Sequence, residues 1–222
     1  MAAFPAIQVC PTMKMPSVLV ALLAASAVCA VQAAQPTPAA GTPKLAYGQM
    51  MKHGDKVIFS PCRDPSYAMF EDVSANGALT QALAGVGLNA GKKVYAELLG
   101  VLDNNVLKAS ELNFAHTDGR CQLPGGEDES WRAAGHEPGW VLAVGKEVVV
   151  LKRQGQPDIR VPTVAFKSEG KQHRLESAEG GNTLQLSFER GLCRDIKADS
   201  AFGWNATVSV NGQLLKGCAW QR

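Results

Sequence analysis

The chain has 222 residues, 46% hydrophobic and 19% charged, with a formal net charge of +2. A balance so near neutral produces no strong field, so neither nucleic acid nor another polyanion is expected as a partner. The six cysteines are the unusual part of an otherwise ordinary composition, and they bear on compartment and cross-linking.

The first segment in chain order reads as an export signal. Lys14 precedes an apolar run from Val18 to Ala30, and Val31-Gln32-Ala33-Ala34 offers the small residues needed for cleavage near Ala33. The run is shorter than the roughly 20 apolar residues that a bilayer core requires, so no transmembrane span is expected in the mature chain. Residues 1–33 are assigned to the signal peptide; Met13 or Met15 is the more natural start, which makes 1–12 an extension. Ser26-Ala27-Val28-Cys29 outlines a lipobox, although Val28 stands where lipoprotein processing prefers Gly, Ala or Ser. Release into the periplasm is therefore expected, with an outer-membrane lipoprotein anchored at Cys29 as the alternative. Residues 34–43, dense in Ala, Gln, Thr and Pro, read as a disordered leader.

Cys62, Cys121, Cys193 and Cys218 remain, two in each half of the folded region. In an oxidising compartment they are expected to pair as Cys62–Cys121 and Cys193–Cys218, so that each bond encloses one small module. The modules span residues 44–122 and 131–222, with the polar, Gly-rich stretch 123–130 as linker. Loop-closure entropy assigns the shorter bridge roughly 3 to 3.5 kcal/mol and the longer one about 4 kcal/mol.

In the first module, Val57-Ile58-Phe59 reads as a strand, Tyr67 to Val73 as its hairpin partner, and Ala78 to Ala84 as a helix stopped by Gly85. Val94 to Leu99 alternates as a half-buried strand does, and a further strand runs around Leu107 to Phe114. Several strands interrupted by one helix suit a small Greek-key barrel of the OB type. Phe59-x-x-Cys62, an aromatic-bearing strand, a helix and then Lys93-Val94-Tyr95-Ala96-Glu97-Leu98-Leu99-Gly100 resemble the OB-like domain of NlpE-type lipoproteins of copper resistance and envelope stress. That resemblance implies an OB barrel and a role in surface sensing or copper homeostasis. The Cys-x-x-Cys of that family has no counterpart here.

The second module reads as all-β, an antiparallel barrel or sandwich, which makes the whole chain mainly β. Its expected strands are Trp140 to Val144, Glu147 to Lys152, Val161 to Lys167, Gln172 to Ser177, Thr183 to Glu189, Asn205 to Val210 and Gln213 to Cys218. Glu169-Gly170, Glu179-Gly180-Gly181-Asn182 and Asn211-Gly212 separate them as turns.

Gly135-His136-Glu137-Pro138-Gly139-Trp140 is the most specific motif. Together with Gly191-Leu192-Cys193-Arg194-Asp195 and Gly217-Cys218, it is similar to a Gly-x-Glu-Pro-x-Trp family of bacterial envelope proteins and lipoproteins. The resemblance implies an envelope β-domain with no established reaction. Physically, Trp140 is expected to plug the barrel end while Glu137 accepts backbone N–H bonds; the functional alternative places Glu137, Trp140 and His136 on a ligand-contacting rim. Acid catalysis by Glu137 would need a second carboxylate about 5 to 10 Å away, with Asp195 and Asp199 as candidates.

His53, His116, His136 and His173 are scattered without ligand spacing and read as surface residues, so no metal or other cofactor is expected. Lys92, Lys93, Lys146, Lys152 and Arg153 read as a solvated face. The function expected is non-catalytic binding or sensing in the cell envelope, with a periplasmic protein or a cell-wall fragment as partner. Inhibition of a cell-wall hydrolase of the lysozyme type is the first alternative, and a glycan- or peptide-acting enzyme using Glu137 is the second.

Overall fold

A computed structural model describes residues 41–117, 119–121 and 128–222; the signal peptide, nearly all of the leader, most of the linker, Cys10 and Cys29 lie outside them. Among the described residues, no helix is long and apolar enough to cross a membrane.

The first five strands are β1 (Lys44–His53), β2 (Lys56–Pro61), β3 (Ala68–Asp72), β4 (Val94–Asp103) and β5 (Val106–Thr117). They pair in the order β3-β2-β1-β4-β5, and a parallel pairing of β3 with β5 closes the ring. One short helix, α1 (Ala78–Gly85), lies between β3 and β4. Five strands closed this way around a single helix form a barrel of the OB type. Met50, Phe59, Val94, Leu98, Leu107 and Leu112 fill its interior, and Leu79 and Leu83 of α1 pack against them. The helix is punctuated by residues that accept left-handed backbone, Gly77 before it and Gly87 after it.

Strand β1 shows no clear alternation in the sequence because the small Gly48 stands on its inward face while the apolar Leu45 and Met51 stand exposed on its outward face. Gly48 and Met50 point into the barrel, while Gln49 on the opposite face donates to the Gly119 carbonyl at 2.6 Å. Gly48 has a steric reason: a Cβ there would lie 2.3 Å from the Ser60 carbonyl oxygen on β2.

The remaining strands form an antiparallel meander: β6 (Glu129–His136), β7 (Gly139–Gly145), β8 (Val148–Arg153), β9 (Ile159–Pro162), β10 (Lys167–Glu169), β11 (Gln172–Glu179), β12 (Asn182–Asp195), β13 (Ser200–Val210) and β14 (Gln213–Gln221). The first strand of this meander pairs with the last, β6 with β14. At the other end, Ser177 Oγ of β11 donates to the Pro162 carbonyl of β9 at 2.7 Å. The core contains Trp131, Trp140, Leu151, Leu184, Phe188, Trp204, Val208 and Leu215. The strand expected over Val161 to Lys167 is two strands, β9 and β10, with Pro162 ending the first because it has no N–H to donate to a ladder. Strand β6 begins at Glu129, so its first two residues fall in the stretch read as linker.

A single strand joins the barrel to the meander. Ser200 to Phe202 of β13 pair with His116 to Phe114 of β5, whereas Trp204 to Val210 of the same edge pair with β14. The switch falls at Gly203, where a Cβ would sit 1.8 Å from the Leu112 carbonyl oxygen. Around it Phe114 meets Trp220 at 5.5 Å and Phe202 at 5.1 Å between ring centroids. Arg190 of β12 lies 4.3 Å over the Trp204 ring, donates to the Leu112 carbonyl at 3.2 Å and ion-pairs with Glu111. All described residues belong to one compact unit.

Both disulfides are closed: Cys62–Cys121 fastens the end of β2 to the segment after β5, and Cys193–Cys218 links β12 to β14 across β13. Replacing Cys193 and Cys218 together by serine is expected to cost about 3 kcal/mol in urea unfolding, set by the loop released. Gly203→Ala is expected to cost about 3 kcal/mol, the upper end for overpacking, because the obstructing atom belongs to backbone. Wild-type midpoints for both variants would contradict this account of the joint.

Candidate functional site

The β6–β7 hairpin carries the motif and separates its residues by role. Trp140 is buried in the second core, and its indole Nε1 donates to the Lys216 carbonyl at 3.3 Å. Room for this ring comes from two glycines. A Cβ at Gly135 would lie 2.4 Å from Trp140 Nε1, and one at Gly217 would lie 2.0 Å from the Ala134 carbonyl oxygen and 2.9 Å from Trp140 Cζ2. Gly135, Trp140 and Gly217 are thus one packing unit. Pro138 is exposed at the turn, and the Glu137–Pro138 peptide bond is cis.

His136 and Glu137 point outward to the β12–β13 turn. His136 Nε2 lies 2.5 Å from Asp195 Oδ2, while Asp195 Oδ1 accepts the backbone N–H groups of Lys197 at 3.0 Å and Ala198 at 3.1 Å. Lys197 Nζ donates to Glu137 Oε1 at 3.0 Å. Among the described residues Glu137 accepts no backbone N–H of the kind expected from the sequence; its partner there is this lysine, 60 residues further along the chain. The hydrogen bond and charge of Lys197 hold the Glu137 carboxyl below its ordinary range. An exposed carboxylate kept ionised in this way does not suit a general acid near neutrality. Asp195, the candidate second carboxylate, is committed to His136 and the turn.

The same turn is braced from the OB barrel. Lys92 Nζ lies 3.5 Å from Asp199, Thr117 N donates to the Asp199 carbonyl at 3.3 Å, and Arg194 donates to the Gly85 carbonyl. Held from both sides, the turn presents Ile196, which is 76% exposed.

Beside the hairpin are two adjoining hollows on the outer surface of β6 to β9. One of about 410 Å³ includes His136, Gly139, Lys152 and Arg153 in its lining; the other, of about 430 Å³, includes Arg132, Ala143, Val150, Arg160 and Trp220. Ala134, Val141 and Lys152 line both. The sequence gives no hint of the Lys197 contact, because nothing local marks a partner so distant. The apolar runs of β7 and β8 were the available signal for the hollows.

A second polar cluster lies at the joint of the barrel and the meander. Glu97 is 4% exposed and accepts from Tyr95 Oη at 2.9 Å and Asn113 Nδ2 at 2.7 Å. Asn113 also accepts the N–H of Gln221 at 2.9 Å and donates to its carbonyl at 2.8 Å, imitating a strand neighbour. These bonds occupy both oxygens of Glu97, so it serves the joint. Of the histidines, His53 and His136 are exposed as expected, whereas His116 and His173 are half-buried among aromatic rings. Among the described residues, no group of three or more His, Cys, Asp or Glu is arranged to hold a metal ion.

Fold and site together define a disulfide-bonded, mainly β protein in which one strand of an antiparallel meander pairs with the outside of a closed OB-type barrel. Comparison with protein families, curated proteins and solved structures finds no match to the chain.

Two expectations follow. Asp195→Ala is expected to lose about 2 kcal/mol, as hydrogen bonds to a charged group are removed, while Glu137→Gln leaves the urea midpoint essentially unchanged; equal effects would contradict the division of roles. Burial pushes the Glu97 carboxyl above its ordinary range, against the pull of Tyr95 and Asn113. Its protonated form therefore favours the fold at acid pH, and this contribution is lost as pH rises through the raised value. The stability difference between Glu97→Gln and wild type should shift in favour of Gln as pH climbs from the usual carboxylate range; a pH-independent difference would contradict it.

Proposed function

We propose that this chain is an exported, non-catalytic binding or sensing protein of the bacterial cell envelope, acting on a periplasmic protein or a cell-wall fragment. The observation that carries this reading is the use made of the motif: Glu137 and His136, its polar groups, brace the β12–β13 turn through Lys197 and Asp195. Export is supported by the two disulfides, which persist in oxidising compartments. The resemblance of the motif to an envelope family agrees with it.

Inhibition of a cell-wall hydrolase is the second reading. The braced turn with Ile196 at its exposed tip favours it, because a rigid, pre-formed contact loses little entropy on entering a partner's cleft. Retention of the purified protein on isolated peptidoglycan and on immobilised lysozyme tests both readings. Saturable binding that leaves the ligand chemically unchanged is expected; if lysozyme is the ligand, binding should block its activity and weaken with Ile196→Asp. Release of cleavage products by wild type but not by Glu137→Gln would overturn both.

A further inference from the structure

Two strands of the meander, β7 and β8, are apolar at both parities. Trp140-Val141-Leu142-Ala143-Val144 and Val148-Val149-Val150-Leu151 send Leu142, Val144, Val149 and Leu151 into the core, and the alternate residues face outward. Such continuous runs belong to strands covered on both faces, yet Val141 is 52% exposed.

Register arranges the outward residues in two rows across the sheet. One row is Trp220, Arg132, Ala143, Val150 and Arg160; the other is Cys218, Ala134, Val141 and Lys152. The small and branched residues form a recessed floor, with Arg132 on one side and Lys152 and Arg160 on the other. Arg132 is tied to Glu129 at 2.5 Å and Lys152 lies 3.8 Å from Asp158, while Arg160 has no ionic partner among the described residues. With strands about 4.8 Å apart, the trough from β6 to β9 is roughly 14 Å across, the width of one polypeptide segment with its side chains.

We propose that this trough binds an acidic, apolar polypeptide segment of a partner protein, its apolar side chains on the Ala134, Val141, Ala143 and Val150 floor and its carboxylates against Arg132, Lys152 and Arg160. The proposal rests on the binding-protein reading and specifies its partner. Charge selects the occupant: with Arg132 and Lys152 facing Glu129 and Asp158, Arg160 leaves the trough a positive balance that a second copy would repeat and not complement. Shape selects it too, since a flat bilayer meets the walls before the floor.

The test is fluorescence anisotropy of the purified exported protein with an end-labelled 12-residue peptide alternating Leu and Glu, against Leu–Lys and Ser–Glu peptides of the same length. The Leu–Glu peptide is expected to bind saturably and at least about tenfold more tightly than either control. Val141→Asp, and separately Lys152→Glu with Arg160→Glu, should each weaken it by about tenfold or more with unfolding midpoints unchanged. No saturable binding, equal binding of Leu–Glu and Leu–Lys, or indifference to both sets of variants would overturn the proposal. So would binding to phosphatidylglycerol vesicles without peptide binding, or a dimer in solution that Val141→Asp dissociates. If these variants leave retention on peptidoglycan or lysozyme unchanged and the peptide does not bind, the trough assignment falls while the binding function stands.

Discussion

The rest of the structure depends on how β13 divides its hydrogen bonds. A strand has two edges, and β13 gives one of them to β12, interrupted only by the bulge between Arg190 and Cys193. It splits the other between β5 of the OB barrel and β14 of the meander. Such a division requires the backbone to change neighbours within one residue, and Gly203 permits it because the Leu112 carbonyl approaches where a side chain would begin. Arg190, the Phe114–Phe202–Trp220 rings and the Asn113–Gln221 pair then cover the splice with a cation, aromatic area and satisfied amides. The consequence reaches the surface. The β12–β13 turn begins beside the splice, so it is gripped by the OB barrel through Asp199 and by the motif hairpin through Asp195 and Lys197.

What was legible in the sequence was local. Period-two alternation located most strands of the meander, and Asn211-Gly212 marked a hairpin whose residues both have positive φ. The helix was legible from Ala and Leu content and its glycine stop. Strand β1 was hidden because its outward Leu45 and Met51 are apolar although exposed, and β6 because Gly135 and two alanines give little contrast between its faces. Pro162 divided an apparent single strand, a break that its missing N–H explains after the fact. The splice itself left almost no trace: a lone glycine between Phe202 and Trp204 does not say which backbone will come near.

The site was legible in its residues and not in their roles. Gly135 and Trp140 stood out, and their packing relationship with Gly217 accounts for that. Glu137 attracted a chemical reading because a carboxylate beside a histidine is the raw material of acid–base catalysis; the folded chain instead sets it on the surface against a cation. The Lys152 side chain, read as part of a solvated face, is exposed, and the strand register also sets it beside Val141 at the edge of the hollow.

The central claim is that β13 makes the barrel and the meander one body, since the braced turn exists only while both are folded. All four tryptophans belong to the meander, at β6, β7, β13 and β14, so their fluorescence follows that half, whereas far-ultraviolet circular dichroism follows both. Urea unfolding followed by the two signals together is the most direct test. The account predicts coincident transitions with a single midpoint. A dichroism change that runs part of its course before the tryptophans respond would show the OB barrel unfolding on its own and would contradict it.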